Sequence, residues 1–456
     1  MTKIGLEIHG YLNTKEKLFC GCKSLHGIKH AKPNTNICPI CTAQPGSKPS
    51  LPNKSAIEKA IQIALIFGCK INTKLTWQRK HYDWPDLPKG FQNTLSGTYA
   101  VPVGENGKFF GKNITECHLE EDPAAWNPST GEIDYNKSGS PLIEIVTAPD
   151  FKNSEEVHEW LNQMIITLDY IKAIDKKSGI KADVNVSING GKRIEIKNLN
   201  SLTNIKASIE YEIERQKNPS EIPKEQETRM FDENKGITIK MRSKEETQDY
   251  RFISEPDLPV INITKQKIKI IKSHLPETPQ EKLKKLIKKY EISKKDAEII
   301  TKKLEIVEFF EKVVAKISSS MAIPWIMIEL LSVLNYNKKN LDDPDIDIKA
   351  EHFIELLDMV KDKKITELKA KEILRKFIPK SFPVAERLGE HAKIVSESVI
   401  EKICGKVIEE NKKAVEDYKK GKKESLNFLI GQVMRLSNKR ADYRSVKEML
   451  EKALRD

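Results

Sequence analysis

The sequence predicts an α+β protein, in which a mixed α/β domain comes first and helices fill the rest of the chain. Two observations lead to this prediction. Up to about residue 265, stretches that alternate apolar and polar residues are interrupted by a helical period. From about residue 275, apolar residues recur at helical spacing among many lysines, and strand patterns almost disappear.

The strand-like segments of the first part alternate between one apolar and one polar face. They are residues 3–12, 98–103, 142–147, 181–188, 193–197 and 237–242. A helix is predicted from residue 154, because Val157, Leu161, Met164 and Leu168 follow one another at helical spacing. Ser154 is the expected N-cap of this helix. The pattern contains no regular βαβ alternation and no Gly-rich dinucleotide fingerprint.

Composition points to an acidic partner. The chain has 78 Lys and Arg against 66 Asp and Glu, a formal net charge of +12 over 456 residues. A basic balance of this kind favours nucleic acid, although a solvated Lys-rich surface gives the same composition. No stretch approaches the roughly 20 apolar residues of a membrane span, and no signal peptide is visible. We therefore expect a cytoplasmic protein that does not bind membranes, whose 7 cysteines are thiols or metal ligands.

Four of the cysteines form two close pairs. Cys20 and Cys22 make a CxC pair, and Cys38 and Cys41 make a CxxC pair. Four thiolates in two pairs suit tetrahedral Zn²⁺, and a site with four protein ligands is structural. The alternative is four unrelated thiols. The other three cysteines are isolated and are expected to be buried apolar thiols: Cys69, Cys117 and Cys404.

Polar alternation indicates a face that carries carboxylates. In the first strand Ile4, Leu6 and Ile8 share one face, so Glu7 and His9 lie together on the other, roughly 7 Å apart. Asp183 is on the polar face of a later strand, and residues 118–122 (HLEED) add Glu120 and Glu121. Such a face can hold a hard divalent cation, or it can be an ordinary solvated polar face.

The sequence contains no GxxxxGK[ST] loop, so ATP would have to be held by scattered cations together with Mg²⁺. The basic candidates for phosphate contacts are Arg79, Lys80, Lys89, Lys197, and Arg242 with Lys244, although each is more often a surface charge than a ligand. Nor does the sequence contain a Gly/Ser-rich segment with the Ser-Ser-Lys machinery of amidase-type glutaminases. We therefore expect that this chain alone does not release ammonia from glutamine.

Many short motifs, in a fixed order along essentially the whole chain, resemble the B subunit of aspartyl/glutamyl-tRNA amidotransferases. The chain is accordingly identified by resemblance as a member of that family. The matching segments are 4–9 (IGLEIH), 12–14 (LNT), 17–20 (KLFC), 33–41 (PNTNICPIC), 79–82 (RKHY), 85–90 (PDLPKG), 118–122 (HLEED), 141–146 (PLIEIV), 182–187 (ADVNVS), 195–201 (EIKNLNS), 227–229 (ETR), 249–251 (DYR), 255–259 (EPDLP) and 427–434 (NFLIGQVM).

The resemblance implies three domains and a set of site residues. Residues 1–272 would be a cradle domain with the kinase and transamidase site and a zinc-knuckle insertion, 273–392 a helical domain, and 393–456 a small helical tail domain that binds tRNA. Zinc would fall on the four paired cysteines. Magnesium would fall on Glu7, His9, Glu120, Glu121 and Asp183, of which Glu7, His9 and Glu121 also count as catalytic.

The implied activity is that of a ligase that forms C–N bonds. It would activate the carboxylate of mischarged Asp-tRNA(Asn) or Glu-tRNA(Gln) with ATP and then amidate the acyl phosphate. Lys80 and Lys197 are the expected cationic catalytic residues, and Arg79, Lys89 and Arg242 the expected ATP contacts. The amidase (A) partner of the family would supply ammonia, and a small third partner (C) would complete a heterotrimer.

Departures from the bacterial pattern give the chain an archaeal character. Asp83 and Trp84 precede Pro85 where bacterial members usually have two aromatics, and Pro123 follows the acidic run where they have Ala. Two other functions remain open from the residues. One is a non-catalytic zinc-containing protein for tRNA binding or assembly, and the other is a metallohydrolase that uses the acidic face.

Overall fold

The computed structural model describes residues 2–25, 31–175, 178–188, 191–243, 251–387, 392–394 and 396–455. The chain forms two compact units, Met1–Thr278 and Pro279–Asp456. The first unit contains the strands and the second is helical, so the predicted α+β class is confirmed. The further division of the helical part at residue 392 stays a prediction.

The first unit is built around a large twisted sheet. Twelve of the described strands belong to it, and two short pairs lie outside it. The strands are β1 (Thr2–Tyr11), β2 (Lys70–Ile71), β3 (Lys74–Leu75), β4 (Gln78–His81), β5 (Phe91–Thr94), β6 (Gly104–Phe109), β7 (Lys112–Glu121), β8 (Ala125–Trp126), β9 (Ile133–Asp134), β10 (Pro141–Thr147), β11 (Ile180–Ile188), β12 (Ile194–Leu199), β13 (Glu227–Asp232), β14 (Ile237–Ser243), β15 (Arg251–Ser254) and β16 (Ile261–Asn262).

The order of the sheet places the first strand near its centre. The path runs β14-β13-β12-β11-β1-β10-β7-β5-β4-β15, and β6 joins β7 to β2. Neighbouring strands are antiparallel except for β12 and β13, which are parallel. Because β1 lies between β10 and β11, residues from distant parts of the sequence meet on either side of it.

One face of the sheet is packed against helices. Ile4, Leu6 and Ile8 of β1 are almost completely buried, as their alternation predicts, in one core cluster with residues of the surrounding helices. The helices of this unit are α1 (Lys54–Ile66), α2 (Ser154–Tyr170), α3 (Leu202–Lys217) and α4 (Lys265–Ser273), with a 3₁₀ turn at Pro219–Glu221. At Gly104 a Cβ would lie 2.8 Å from Ala64 Cβ, so glycine is needed for the close approach of β6 to α1.

Two local predictions are wrong. Residues 98–103 form no strand, since Val101 makes only an isolated bridge to Thr76. The cap of α2 is Asn153 and not Ser154, because the Asn153 side chain accepts a 2.9 Å hydrogen bond from the Glu156 amide. Strand β7, which the alternation did not reveal, proves to be central to the sheet.

The described part of the second unit consists of helices joined by loops and short turns. They are α5 (Pro279–Tyr290), α6 (Lys294–Ile300), α7 (Leu304–Val314), α8 (Ser319–Pro324), a π-helical turn (Trp325–Leu330), α9 (Leu331–Tyr336), α10 (Ala350–Lys361), α11 (Glu367–Arg375), a 3₁₀ turn (Ala385–Arg387), α12 (Glu397–Glu410), α13 (Lys412–Lys419), α14 (Glu424–Leu436) and α15 (Tyr443–Arg455). Helices α12, α14 and α15 bury apolar residues, including Leu429, Val433 and Leu450, in a core cluster of their own, and α13 packs partly buried residues against it.

Within the described part of the chain, no helix is both long enough and apolar enough to cross a membrane. The cytoplasmic location stays a prediction.

Candidate functional site

Strand β1 brings together acidic residues from both of its neighbours. In the antiparallel register, Glu7 stands opposite Asp183 of β11, and His9 stands opposite Glu144 of β10. Glu144 in turn stands opposite His118 of β7, so the polar face continues across the sheet. This is the face that turns away from the helical core, because the apolar residues between these positions point to the other side.

The first cluster on this face contains His9, Glu120 and Glu144. One ligand atom from each lies within 4.8 Å of the other two, a spacing that one metal ion can bridge. His9 Nε2 is 3.3 Å from Glu144 Oε2 and 3.8 Å from Glu120 Oε1. Two carboxylates and an imidazole form a donor set suited to a divalent cation.

Charge is concentrated in this cluster. Burial would lower the pKa of His9, but the hydrogen bond to Glu144 and the charges of Glu144 and Glu120 outweigh it and raise that pKa to about 9. Burial and the neighbouring charge of Glu144 raise the pKa of Glu120. A cation bound at the first cluster would therefore reduce the repulsion between the Glu120 and Glu144 carboxylates, which lie close together and are poorly solvated.

A second cluster lies one step along β1 and contains Glu7, Asp183 and Glu195. Their ligand atoms are also within 4.8 Å of one another. The Lys197 ammonium lies among them, 2.8 Å from Asp183 Oδ2 and 2.9 Å from Glu195 Oε1. Asn185 Nδ2 donates a 3.0 Å hydrogen bond to Glu7 Oε1. Burial, followed by the charge of Glu144, raises the pKa of Glu7.

An open cleft of about 300 Å³ adjoins both clusters. It is lined by His9, Glu120 and Asp183 of the clusters together with cations and aromatic hydroxyls. The other lining residues include Tyr11, Tyr82, Gln92, Asp122, Lys137, Lys181 and Asn198. The cleft thus combines carboxylates, which can hold a cation, with lysines, which can hold an anion.

The four paired cysteines converge, as their spacing predicts. The sulfur atoms of Cys20, Cys22, Cys38 and Cys41 lie within 4.8 Å of one another, and the Cys38 amide donates a 3.2 Å hydrogen bond to Cys41 Sγ. The hydrogen bond with Cys41, with burial, raises the pKa of Cys20 above that of an ordinary thiol. Four thiolates so close together need a cation, and the cluster is compatible with zinc.

Comparison with known proteins decides the family. Residues 2–269 match the GatB/GatE catalytic domain, and residues 308–454 match the GatB domain. The B subunit of the aspartyl/glutamyl-tRNA(Asn/Gln) amidotransferase of Methanocaldococcus jannaschii is 43% identical, over 99% of this chain and 98% of that protein. The protein of the same name from Methanothermobacter thermautotrophicus is 41% identical, over 99% of this chain and 100% of that protein.

The chain belongs to the family of B subunits of aspartyl/glutamyl-tRNA(Asn/Gln) amidotransferases. The predicted membership is therefore confirmed, and so is its archaeal character, since both organisms are archaea.

Membership in this family led us to expect one cation site on five residues. The structure brings four of them to a single face, namely Glu7, His9, Glu120 and Asp183. It divides these four between the two clusters. Their roles as ligands stay predictions.

Glu121 is not brought to this face. It follows Glu120 in strand β7, and consecutive residues of a strand point to opposite sides. The Glu121 carboxylate forms an ion pair with Lys89 and accepts a 2.9 Å hydrogen bond from the Asn93 amide. With Lys89 it lines a small cavity beside Cys20 and Cys41. The expected grouping of Glu121 with Glu7 and His9 is therefore corrected.

The expected phosphate-binding cations are also separated by the sheet. Arg79 pairs with Glu255 at 2.9 Å and with Asp257 at 3.1 Å, and its guanidinium lies 4.3 Å from the centre of the Phe91 ring. Lys80, the next residue of β4, lies on the other face, where its charge acts on Glu120. Arg79 and Lys89 thus form ion pairs with carboxylates on the face of the sheet opposite to the two clusters.

Two predicted features fall outside the structure's description. Arg242 is at the end of β14, but its side chain lies outside the described residues. Lys244 lies outside them too, and so do Asp249 and Tyr250 of the 249–251 segment.

Sequence reasoning missed three members of the polar face: His118, Glu144 and Glu195. Glu144 and Glu195 each alternate with apolar neighbours in strands that the pattern did predict, so strand alternation was a usable signal. His118 is separated by one residue from Glu120 and therefore shares its face.

Proposed function

We propose that this chain catalyses ATP-dependent amidation of Asp or Glu esterified to tRNA, as the B subunit of a tRNA-dependent amidotransferase. The carboxylate of the aminoacyl group would be phosphorylated, and ammonia would then displace phosphate from the acyl phosphate. The observation that carries this proposal is the convergence of His9, Glu120, Glu144, Glu7 and Asp183 beside one cleft. The names of the related proteins supply the substrate class.

The residues of the cleft can perform the separate tasks that this reaction needs. Lys181 and Lys137 line it and can attract phosphate or carboxylate anions. Lys197, fixed by Asp183 and Glu195, places a positive charge next to Glu7, where an oxyanion could be stabilised. Lys80 lies on the same face, and its charge acts on Glu120.

Mg²⁺ fits the first cluster by its donor set, and His9, Glu120 and Glu144 would hold it. A bound Mg²⁺ would neutralise phosphate oxygens of ATP and so favour transfer of the phosphoryl group. Glu7, Asp183 and Glu195 form a further acidic set. The ammonium of Lys197 supplies the positive charge that compensates these carboxylates.

The partner proteins belong to the same proposal. We find no glutaminase motif in the sequence, so the amidase partner would have to provide ammonia, with the small third partner completing the assembly. The alternative, a non-catalytic zinc-containing protein, predicts carboxylates dispersed over solvated surface. Four of the five residues expected at the cation site share one face instead, and this favours catalysis.

Free ammonium should replace glutamine as the nitrogen source. With this chain in its assembly, an inactivated amidase partner, ATP and Mg²⁺, ammonium chloride is expected to convert mischarged tRNA to Asn-tRNA or Gln-tRNA. The product and the released phosphate should appear in equal amounts, because each amidation consumes one acyl phosphate. The measurement is acid-gel or chromatographic analysis of the aminoacyl group together with a phosphate assay. ATP-independent amidation, or none at all, would count against a catalytic role.

Affinity for tRNA should depend strongly on salt. The chain carries a formal charge of +12, and lysines are dense along helices α12 to α15. If these lysines contact phosphates, each contact releases counterions, so a site with several contacts loses about 10³-fold or more in affinity between 50 and 200 mM salt. Filter binding or fluorescence anisotropy with the full assembly would measure the slope. An affinity that does not change with salt would exclude phosphate contacts as its main source.

A further inference from the structure

His118 lies behind the first cluster and connects it to a second row of side chains. It is 2% exposed and is placed between two carboxylates. Nε2 lies 3.1 Å from Glu144 Oε2, and Nδ1 lies 3.1 Å from Glu116 Oε1. Glu116 itself accepts a hydrogen bond from the Ser96 hydroxyl. A continuous row therefore runs from Ser96 to the first cluster.

One oxygen of Glu144 is shared by two imidazoles. Glu144 Oε2 is 3.1 Å from His118 Nε2 and 3.3 Å from His9 Nε2. An ionised carboxylate can only accept hydrogen bonds, so the ring nitrogen of His118 must donate to it. The oxygen that faces the candidate cation position is therefore held from behind by a buried donor.

The charge of His118 is set by its two neighbours. Burial would lower its pKa, but the charge of Glu144 and the contacts with Glu116 and Glu144 raise the pKa to about 10. Burial acts to raise the pKa of Glu144, but His118 and His9 outweigh it and hold that pKa well below its usual range. Both imidazoles thus act on Glu144 through the oxygen that they approach at 3.1 and 3.3 Å.

We infer that His118 is a positioning residue that holds the Glu144 carboxylate for a divalent cation, with the charge of Glu116 beside its other ring nitrogen. This inference rests on the cation site of the proposed function and adds the group that orients one of its ligands. Hydrogen-bond partners of metal ligands fix the direction of the ligand atoms, and their loss typically lowers metal affinity by about 10–100-fold.

Two substitutions separate the two sides of the ring. In His118→Gln the side-chain amide reaches as far as Nε2, so a donor to Glu144 can be kept. In His118→Asn the amide reaches only as far as Nδ1, so the contact with Glu116 can remain while Glu144 loses its donor. Both variants lose the positive charge. Any difference between them therefore reports on the hydrogen bond to Glu144.

The experiment is a titration of the purified assembly with Mn²⁺ as a probe for Mg²⁺, read from the EPR signal of free Mn²⁺. His118→Asn is expected to weaken Mn²⁺ binding by about 10-fold or more, and His118→Gln by less. His158→Asn is the matched control on helix α2, since its ring contacts Asn162 and not the cation cluster. Thermal unfolding and zinc content, measured on the same samples, identify a variant that has failed to fold.

The outcomes separate the inference from the function on which it rests. If the wild-type protein binds no Mn²⁺ at this site, the proposed cation site is wrong. If the wild type binds Mn²⁺ and both His118 variants bind it as tightly as the wild type, the positioning role of the hydrogen bond is overturned. The same holds if both variants lose affinity by the same factor. Should both His118 variants be unfolded, Glu116→Gln decides, because Glu116 is partly exposed and its loss should still weaken Mn²⁺ binding several-fold.

Discussion

Replacing Glu120 with Gln is expected to lower ATP-dependent amidation by about 100-fold or more, because it removes one negative ligand from the first cluster. The substitution keeps the shape of the side chain. Glu120 is 6% exposed and lies 3.8 Å from His9, so an amide at this position cannot be compensated by solvent. Affinity for Mn²⁺ should fall together with the rate, and tRNA affinity should not.

The adjacent Glu121 provides the control. It is equally buried, but on the other face of the sheet, where it pairs with Lys89. Glu121→Gln should therefore leave Mn²⁺ affinity unchanged and lower the free energy of unfolding by roughly 1–3 kcal/mol, since the Lys89 ammonium loses its partner. Mn²⁺ titration and chemical unfolding of the two variants test this. Loss of Mn²⁺ binding in Glu121→Gln, with retention in Glu120→Gln, would reverse our assignment of the two faces.

If the four cysteines hold zinc, its removal is expected to have the largest effect on stability. Metal analysis should find about one zinc per chain, because four thiolates complete a tetrahedral site. Cys38→Ser, or treatment with a strong chelator, should unfold the loop around the cysteines and lower the melting temperature by several degrees or more, since binding of the metal is coupled to folding of its ligands. The same segment is also anchored by the buried Lys17 ammonium, which donates to the carbonyls of Asn36 and Tyr135 at 3.2 Å each, and by Asn136 Oδ1, which accepts from the amides of Thr35 and Asn36.

Cys404→Ser is the matched control for zinc. Cys404 is a buried thiol in the core of the last helices and has no other cysteine among the residues of that core cluster. It should lose some stability but keep the same zinc content. A fully folded wild-type protein with no zinc, or equal zinc content in Cys38→Ser, would rule out the four-thiolate site.

Local alternation was sufficient for much of the fold. It predicted β1, β10, β11, β12 and β14 within one or two residues at most ends, and it placed Glu7 and His9 on one face. It failed at residues 98–103, where an alternating segment makes only one bridge. It also missed β7, because polar and charged residues in that strand are buried at the centre of the sheet, where apolar residues are the usual signal.

The site could be predicted only in part, because its members come from strands that are distant in sequence. The pairing of His9 with Glu144 spans more than a hundred residues, and the registry that joins them depends on the whole sheet. Alternation says which residues of one strand share a face, but not which strands are neighbours. The ion pairs of Arg79 and Lys89 were beyond reach for the same reason, since their carboxylate partners come from distant parts of the sequence.

The opposite orientation of Glu120 and Glu121 also constrains how this family can change length. Insertion or deletion of one residue in β7 between Cys117 and Glu120 would exchange the two carboxylates between the faces of the sheet. The first cluster would lose a carboxylate, and Lys89 would lose the carboxylate with which it forms an ion pair, through that one insertion or deletion. We therefore expect active members of the family to differ in length in their surface loops. The number of residues in strand β7 should not change among them, even where individual residues are exchanged.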